Sequence, residues 1–164
     1  MEICTVGAKA KVGARGVQSA TLTLASRPAL LQWIAPHELE ALREALARGG
    51  LPPDFLGKLR GLAAGSLSHR FIEQNCRLFA ALLLAAEHGS FREGGQAARE
   101  RLLRVLAYVR KENDAIPDGR AEGFIDDQRE VRAAAVELAD LLQAFKVWRL
   151  RFQVPALWSE YGVG

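Results

Sequence analysis

Apolar residues recur along most of this chain every three or four positions, the spacing of one face of an α-helix. Pro36 ends the segment before it or starts the next, which runs from His37 through Leu39, Leu42 and Leu46 to Gly49-Gly50, and Pro52 and Pro53 open another over Phe55, Leu56, Leu59 and Leu62, closed by Gly65. The fixed φ of proline suits a first helical turn, and each stretch stops at glycine. Ser66 then stands as an N-cap before the longest apolar run, Leu67 to Ala86. Phe71, Ile72, Cys76, Phe79, Leu82 and Leu83 form its inward stripe, with Arg70, Glu73, Gln74 and Arg77 on the outer side. This run is expected to be the central core helix, ended by His88-Gly89. Its uninterrupted part, Leu78 to Ala86, is about half of what a bilayer crossing needs.

A basic segment follows, Arg92 to Lys111, with Leu102, Leu103, Leu106 and Val109 at helical spacing. After a breaker around Pro117 and Asp118-Gly119, the pattern resumes at Phe124 and is expected to continue as one long helix to about Phe152. Its stripe would be Val131, Ala135, Leu138, Leu142, Phe145, Trp148 and Phe152. Pro155 breaks it, and Leu157 and Trp158 fall in a capping turn. Upstream, Ser26 can cap a short helix over Pro28, Leu30, Leu31 and Ile34. Residues 1–27 differ in composition and read either as a β-hairpin across Gly13-Ala14-Arg15-Gly16 or as a basic arm. The expected architecture is therefore an all-α bundle of five to six helices over residues 28–164, preceded by that arm or hairpin.

Composition narrows the function more than it defines it. The 164 residues, 49% hydrophobic and 25% charged, are those of an ordinary globular domain. A net charge of +3 and a pI of about 9.1 are milder than a dedicated nucleic-acid domain shows. Cys4 and Cys76 lie far apart with no secretory segment before them, which points to a reducing cytoplasm. Cys76 itself reads as a core residue. His69 and His88 have no zinc-ligand spacing, Gly57-Lys58 lacks the rest of a phosphate loop, and no serine nucleophile elbow occurs. An enzyme is not indicated.

Candidate chemistry gathers between Tyr108 and Val131. Glu112 to Glu130 holds seven acidic residues against Arg120 and Arg129. Asp126 and Asp127 fall in a first helical turn, where the dipole favours carboxylates. Bracing of the loop accounts for Asp114, Asp118 and Asp126, with Arg110 and Lys111 as internal partners. The alternative is a divalent cation held by Asp114, Asp118, Asp126 and Asp127 through oxygen. A calcium loop does not fit, because Ile116 and Ile125 occupy positions that need oxygen ligands. No other cofactor is expected.

Tyr108, Asp114, Ile116-Pro117-Asp118, Gly123, Phe124-Ile125 and Asp126-Asp127, in that order, resemble the signature of the YkvA-like family, a bacterial domain of unknown function. The likeness covers roughly a quarter of the chain and implies a helical fold without naming a reaction. The spacer Gly119-Arg120-Ala121-Glu122 is polar where that family's is usually apolar, which argues against this loop lying on a membrane.

The second candidate surface is the aromatic and cationic end of the last helix: Phe145, Lys146, Trp148, Arg149, Arg151 and Phe152, with Trp158 beyond. Contact with a protein partner, by a non-catalytic adaptor module, is expected here or at the acidic loop, and a homo-oligomer is an open alternative. An anionic membrane surface or nucleic acid is the alternative, since rings can be buried there while cations meet phosphate.

Overall fold

Punctuation by proline, serine and glycine sets the helices. A computed structural model of the chain describes residues 34–111, 118 and 123–152, and the expectations for residues 1–27, the Ser26-capped helix and Trp158 lie outside them. The described residues contain six α-helices and no strand. The first two, α1 (Pro36–Ala47) and α2 (Pro53–Ala63), both start on a proline. Glu38 accepts the Ala35 N–H at 2.7 Å, filling the donor that the first turn of α1 leaves open. Ser66 caps α3 (Leu67–Glu87) by accepting the His69 N–H at 3.3 Å.

α1 and α3 end alike. Gly49 and Gly89 adopt φ of +86° and +69°, and the next residue's N–H turns back to a carbonyl of the last turn, Gly50 to Ala45 and Ser90 to Ala85, both at 2.9 Å. This closure needs a left-handed residue, hence the glycine. A third glycine is constrained twice over: Gly94 has φ +84°, and a Cβ there would lie 2.9 Å from the Leu141 side chain.

α3 touches every other helix. From Phe79 to Ala86 it is buried on all sides, so it forms the axis around which α1, α2, α4 (Gln96–Arg110), α5 (Ile125–Glu137) and α6 (Ala139–Phe152) are laid. Tyr108, Phe55, Phe79, Phe91 and Phe145 are the largest fully buried side chains. Across the outside, Arg101 of α4 reaches Glu137 at 3.0 Å and Glu130 at 3.6 Å on α5. No described helix is long and apolar enough to cross a membrane.

Two expectations are corrected. The long last helix is two helices, because Leu138 leaves helical geometry at φ −110°, ψ 24°. Neither proline nor glycine marks the break, and the Leu138 N–H still reaches Ala134 at 2.9 Å while its carbonyl accepts from Leu142 at 2.9 Å. The hydrogen-bond ladder survives, so the apolar stripe crosses the joint unbroken. Glu73, expected on the outer side of α3, is buried, where Arg77 one turn on pairs with it. Burial of this carboxylate is tolerable because the charge is matched.

Candidate functional site

The motif carboxylates meet where α4 ends and α5 begins, against α2. Asp126 and Asp127 occupy the first turn of α5 and are both buried, at 1% and 0% exposure. Backbone N–H groups of that turn give them a favourable field. A buried carboxylate still needs a specific partner. For Asp126 it is Tyr108 of α4, whose hydroxyl donates to Oδ2 at 2.6 Å. For Asp127 it is Lys58 of α2, whose Nζ stands 3.8 Å from Oδ2.

Lys58 is the pivot. Its ammonium also pairs with Asp118 at 2.6 Å and donates to the carbonyl of Lys111, the C-terminal cap of α4, at 2.6 Å. The same cation lies 5.5 Å from the centroid of the Phe124 ring, which His69 of α3 meets edge-on at 4.7 Å. One side chain from α2 thus ties down the end of α4, a residue of the connector and the start of α5. Cys76 lies beneath. Burial raises its thiol pKa well above the usual value, and the negative charge of Asp127 adds to the rise against the opposing charge of Lys58. The thiol stays protonated and inert.

Of the sequence-selected motif residues, Tyr108, Asp118, Asp126 and Asp127 come together here. Gly123 is buried in the turn that re-enters α5. Asp114, Ile116 and Pro117 lie outside the described residues. Arg110 was expected to pair with the connector. Instead it grips Asp54 of α2, with Nε at 2.7 Å and Nη2 at 3.3 Å. The ammonium of Lys111 reaches Glu38 of α1 at 3.2 Å.

Lys58 was not singled out from the sequence. A signal was present: it lies three residues after Phe55 and four before Leu62, within the inward spacing of α2, where a lysine requires an anion.

This arrangement does not fit a divalent cation between Asp118 and Asp127. An ion there would sit beside an ammonium already 2.6 Å from one carboxylate and 3.8 Å from the other, and like charges at such range repel. Among the described residues no group of three or more His, Cys, Asp or Glu gathers as metal ligands.

The second candidate surface divides in two. Phe145 is fully buried, its ring 5.1 Å from Phe91 and stacked at 5.6 Å on the half-buried Trp148. It belongs to the core and cannot meet a partner, which corrects the expectation for that residue. The opposite side of α6 is open, with Val147 46% and Leu150 81% exposed, while Phe152, 62% exposed at the helix end, follows Trp148 on the inner side with ring centroids 5.7 Å apart. At roughly 100° per residue, Val147 and Leu150 fall side by side, with Lys146 on one flank and Arg151 on the other.

Compared with protein-family models, with curated proteins and with solved structures, the chain finds no match.

Proposed function

We propose that this chain is a non-catalytic helical adaptor of the YkvA-like kind, working in a bacterial cytoplasm and binding a protein partner through the outward side of α6. The observation that carries this reading is the exposed Val147–Leu150 ridge between Lys146 and Arg151. Leaving such side chains in water forgoes about 25 cal/mol for each Å² of apolar surface that a partner would cover. The flanking cations favour a partner with carboxylates around an apolar seat.

The motif at the α4–α5 junction supports the non-catalytic half of the reading. Its carboxylates are directed at Tyr108 and Lys58, and two of the three are closed to solvent. A catalytic acid or base must reach a substrate.

A photo-reactive benzophenone amino acid at Leu150, irradiated in cells that make the protein, tests the proposal. Crosslinks to a polypeptide are expected, and they should vanish when Lys146 and Arg151 are both changed to Glu. Binding to anionic vesicles or to nucleic acid, without polypeptide crosslinks, would replace this reading with the membrane or nucleic-acid one.

A further inference from the structure

The outward side of α6 continues into α5. Across the joint at Leu138 the hydrogen-bond ladder holds, from the Leu138 N–H to Ala134 and from the Leu142 N–H to Leu138, both at 2.9 Å, so the two helices keep a common phase. Val136, Asp140, Gln143, Val147 and Leu150 follow one another at intervals of four, three, four and three residues, the spacing of a seam between paired helices. All five are exposed, Val136 at 73% and Leu150 at 81%.

Charge is divided between the two ends of this seam. Glu137 and Asp140 stand by Val136, and Lys146 and Arg151 stand by Val147 and Leu150. The other cations of the two helices lie off the seam: Arg129 and Arg132 precede it, Arg132 over the Phe71 ring at 5.2 Å, and Arg149 is half-buried to one side. Glu137 meets Arg101 at 3.0 Å with its side chain still 45% exposed. Asp140, Lys146 and Arg151 enter no ion pair among the described residues. An apolar side chain bordered by carboxylates, the seat that the α6 ridge asks of a partner, is thus carried by this chain itself at Val136.

Resting on the reading of α6 as the docking side, we infer that its partner is a second copy of this chain, paired antiparallel about a two-fold axis near Gln143. Val136 and Leu150 lie seven residues to either side of Gln143, so the axis lays Val136 of each copy against Leu150 of the other. The same operation brings Asp140 beside Lys146 and Glu137 beside Arg151, each pair made twice. A parallel arrangement would oppose Asp140 to Asp140 and Lys146 to Lys146, and like charges across an interface disfavour it. Polar residues in mid-seam, here Asp140 and Gln143, give up some stability and fix register. Because the patch is its own complement, the assembly closes at two copies.

Sedimentation velocity on the full chain tests the pairing. The unmodified chain should dimerise with rising concentration and dissociate with rising salt. Asp140→Lys and Lys146→Asp each set like charges across the axis and should dimerise about tenfold or more weakly. An equal mixture of the two restores opposite charges at both places and should recover a 1:1 complex. Circular dichroism and melting temperature verify that both variants stay folded.

Cysteine crosslinking tests the orientation, in a Cys4→Ser background that leaves only the buried Cys76. Oxidised with copper-phenanthroline, Gln143→Cys should link to itself, and Val136→Cys should link to Leu150→Cys on mixing. Val136→Cys alone should not, because antiparallel copies hold those positions about 21 Å apart, beyond the reach of a disulfide. Self-linked Val136→Cys overturns the antiparallel arrangement. A chain that is monomeric at every attainable concentration overturns the pairing, as do folded charge variants that stay apart when mixed. Crosslinks from a benzophenone at Leu150 to a different polypeptide, with the chain itself monomeric, remove the second copy and keep α6 as the docking side. Crosslinks to no polypeptide remove both.

Discussion

The α4–α5 junction and the outward side of α6 both place charge beside apolar and aromatic surface, yet the two put it to opposite use. At the junction, Lys58 and Tyr108 turn inward onto Asp118, Asp126 and Asp127, and the charges are consumed in holding three segments together. On α6, Lys146 and Arg151 flank Val147 and Leu150 in solvent, and the bundle gains nothing from keeping them there. Charge that the fold requires should be costly to remove and indifferent to partners. Charge that it does not require should behave the other way round.

Lys58→Met puts the greatest strain on this contrast. It leaves Asp127, with no exposed surface, without its ammonium and frees the Lys111 carbonyl. Removing one partner of a buried pair costs about 3–5 kcal/mol, which urea unfolding would read as a fall in midpoint at constant slope. Adding Asp127→Asn should recover part of that loss. A Lys58→Met protein as stable as the parent would mean that the junction is not the clasp described above.

Tyr108→Phe asks the same question more gently. The ring stays in the core, and only the hydroxyl bonded to Asp126 at 2.6 Å is removed. A hydrogen bond to a charged group is worth about 1.5–3 kcal/mol, and thermal unfolding should show a loss of that size. A change well below this range would assign Asp126 chiefly to its other contacts and to the field of the α5 amino end.

How far these two regions could be read from sequence differs for a physical reason. Helix ends were legible because their determinants are local: Pro36, Pro53, Ser66, Gly49 and Gly89 act within a few residues of themselves. The inward stripe of α3 follows from periodicity in the same way, and Cys76 sits in the core as expected. Lys58 meets Asp118 across sixty residues and Asp127 across sixty-nine, and no local period encodes such a pairing. Arg110 finding Asp54 was hidden for that reason too, whereas Glu73, whose partner Arg77 is only four residues on, is buried because α3 is packed by every other described helix. The break at Leu138 escaped notice because the apolar period runs through it, and period is all that the sequence displays there.

The Asp54–Arg110 pair sharpens the comparison from a third position, as an ion pair at the surface with Asp54 59% exposed. Burial alone would raise the pKa of Asp54, but the hydrogen bond and charge of Arg110, with backbone N–H bonds, outweigh it and hold the carboxyl below its ordinary 3.8. A carboxyl with a depressed folded-state pKa stabilises the protein above the unfolded value and loses that contribution as the pH falls through the folded one. Asp54→Asn should therefore cost no more than about 1 kcal/mol at neutral pH, less in high salt. The difference from the parent should disappear under strongly acidic conditions, as stability curves on both proteins would show.

The smallest effect on stability, and the most informative, belongs to α6. Val147→Ser with Leu150→Ser alters two outward side chains, 46% and 81% exposed, that support no part of the core. Surface changes of this kind usually fall within about 0.5 kcal/mol, so the melting curve should barely move. Polypeptide crosslinking from a benzophenone at the neighbouring Arg151 should nevertheless drop sharply, because the apolar ridge that seats the partner has gone. Loss of binding without loss of stability is what separates a docking side from a structural one. If the pair of serines instead destabilised the protein by several kcal/mol, the ridge would belong to the fold, and α6 would join the junction as a region whose side chains are used internally.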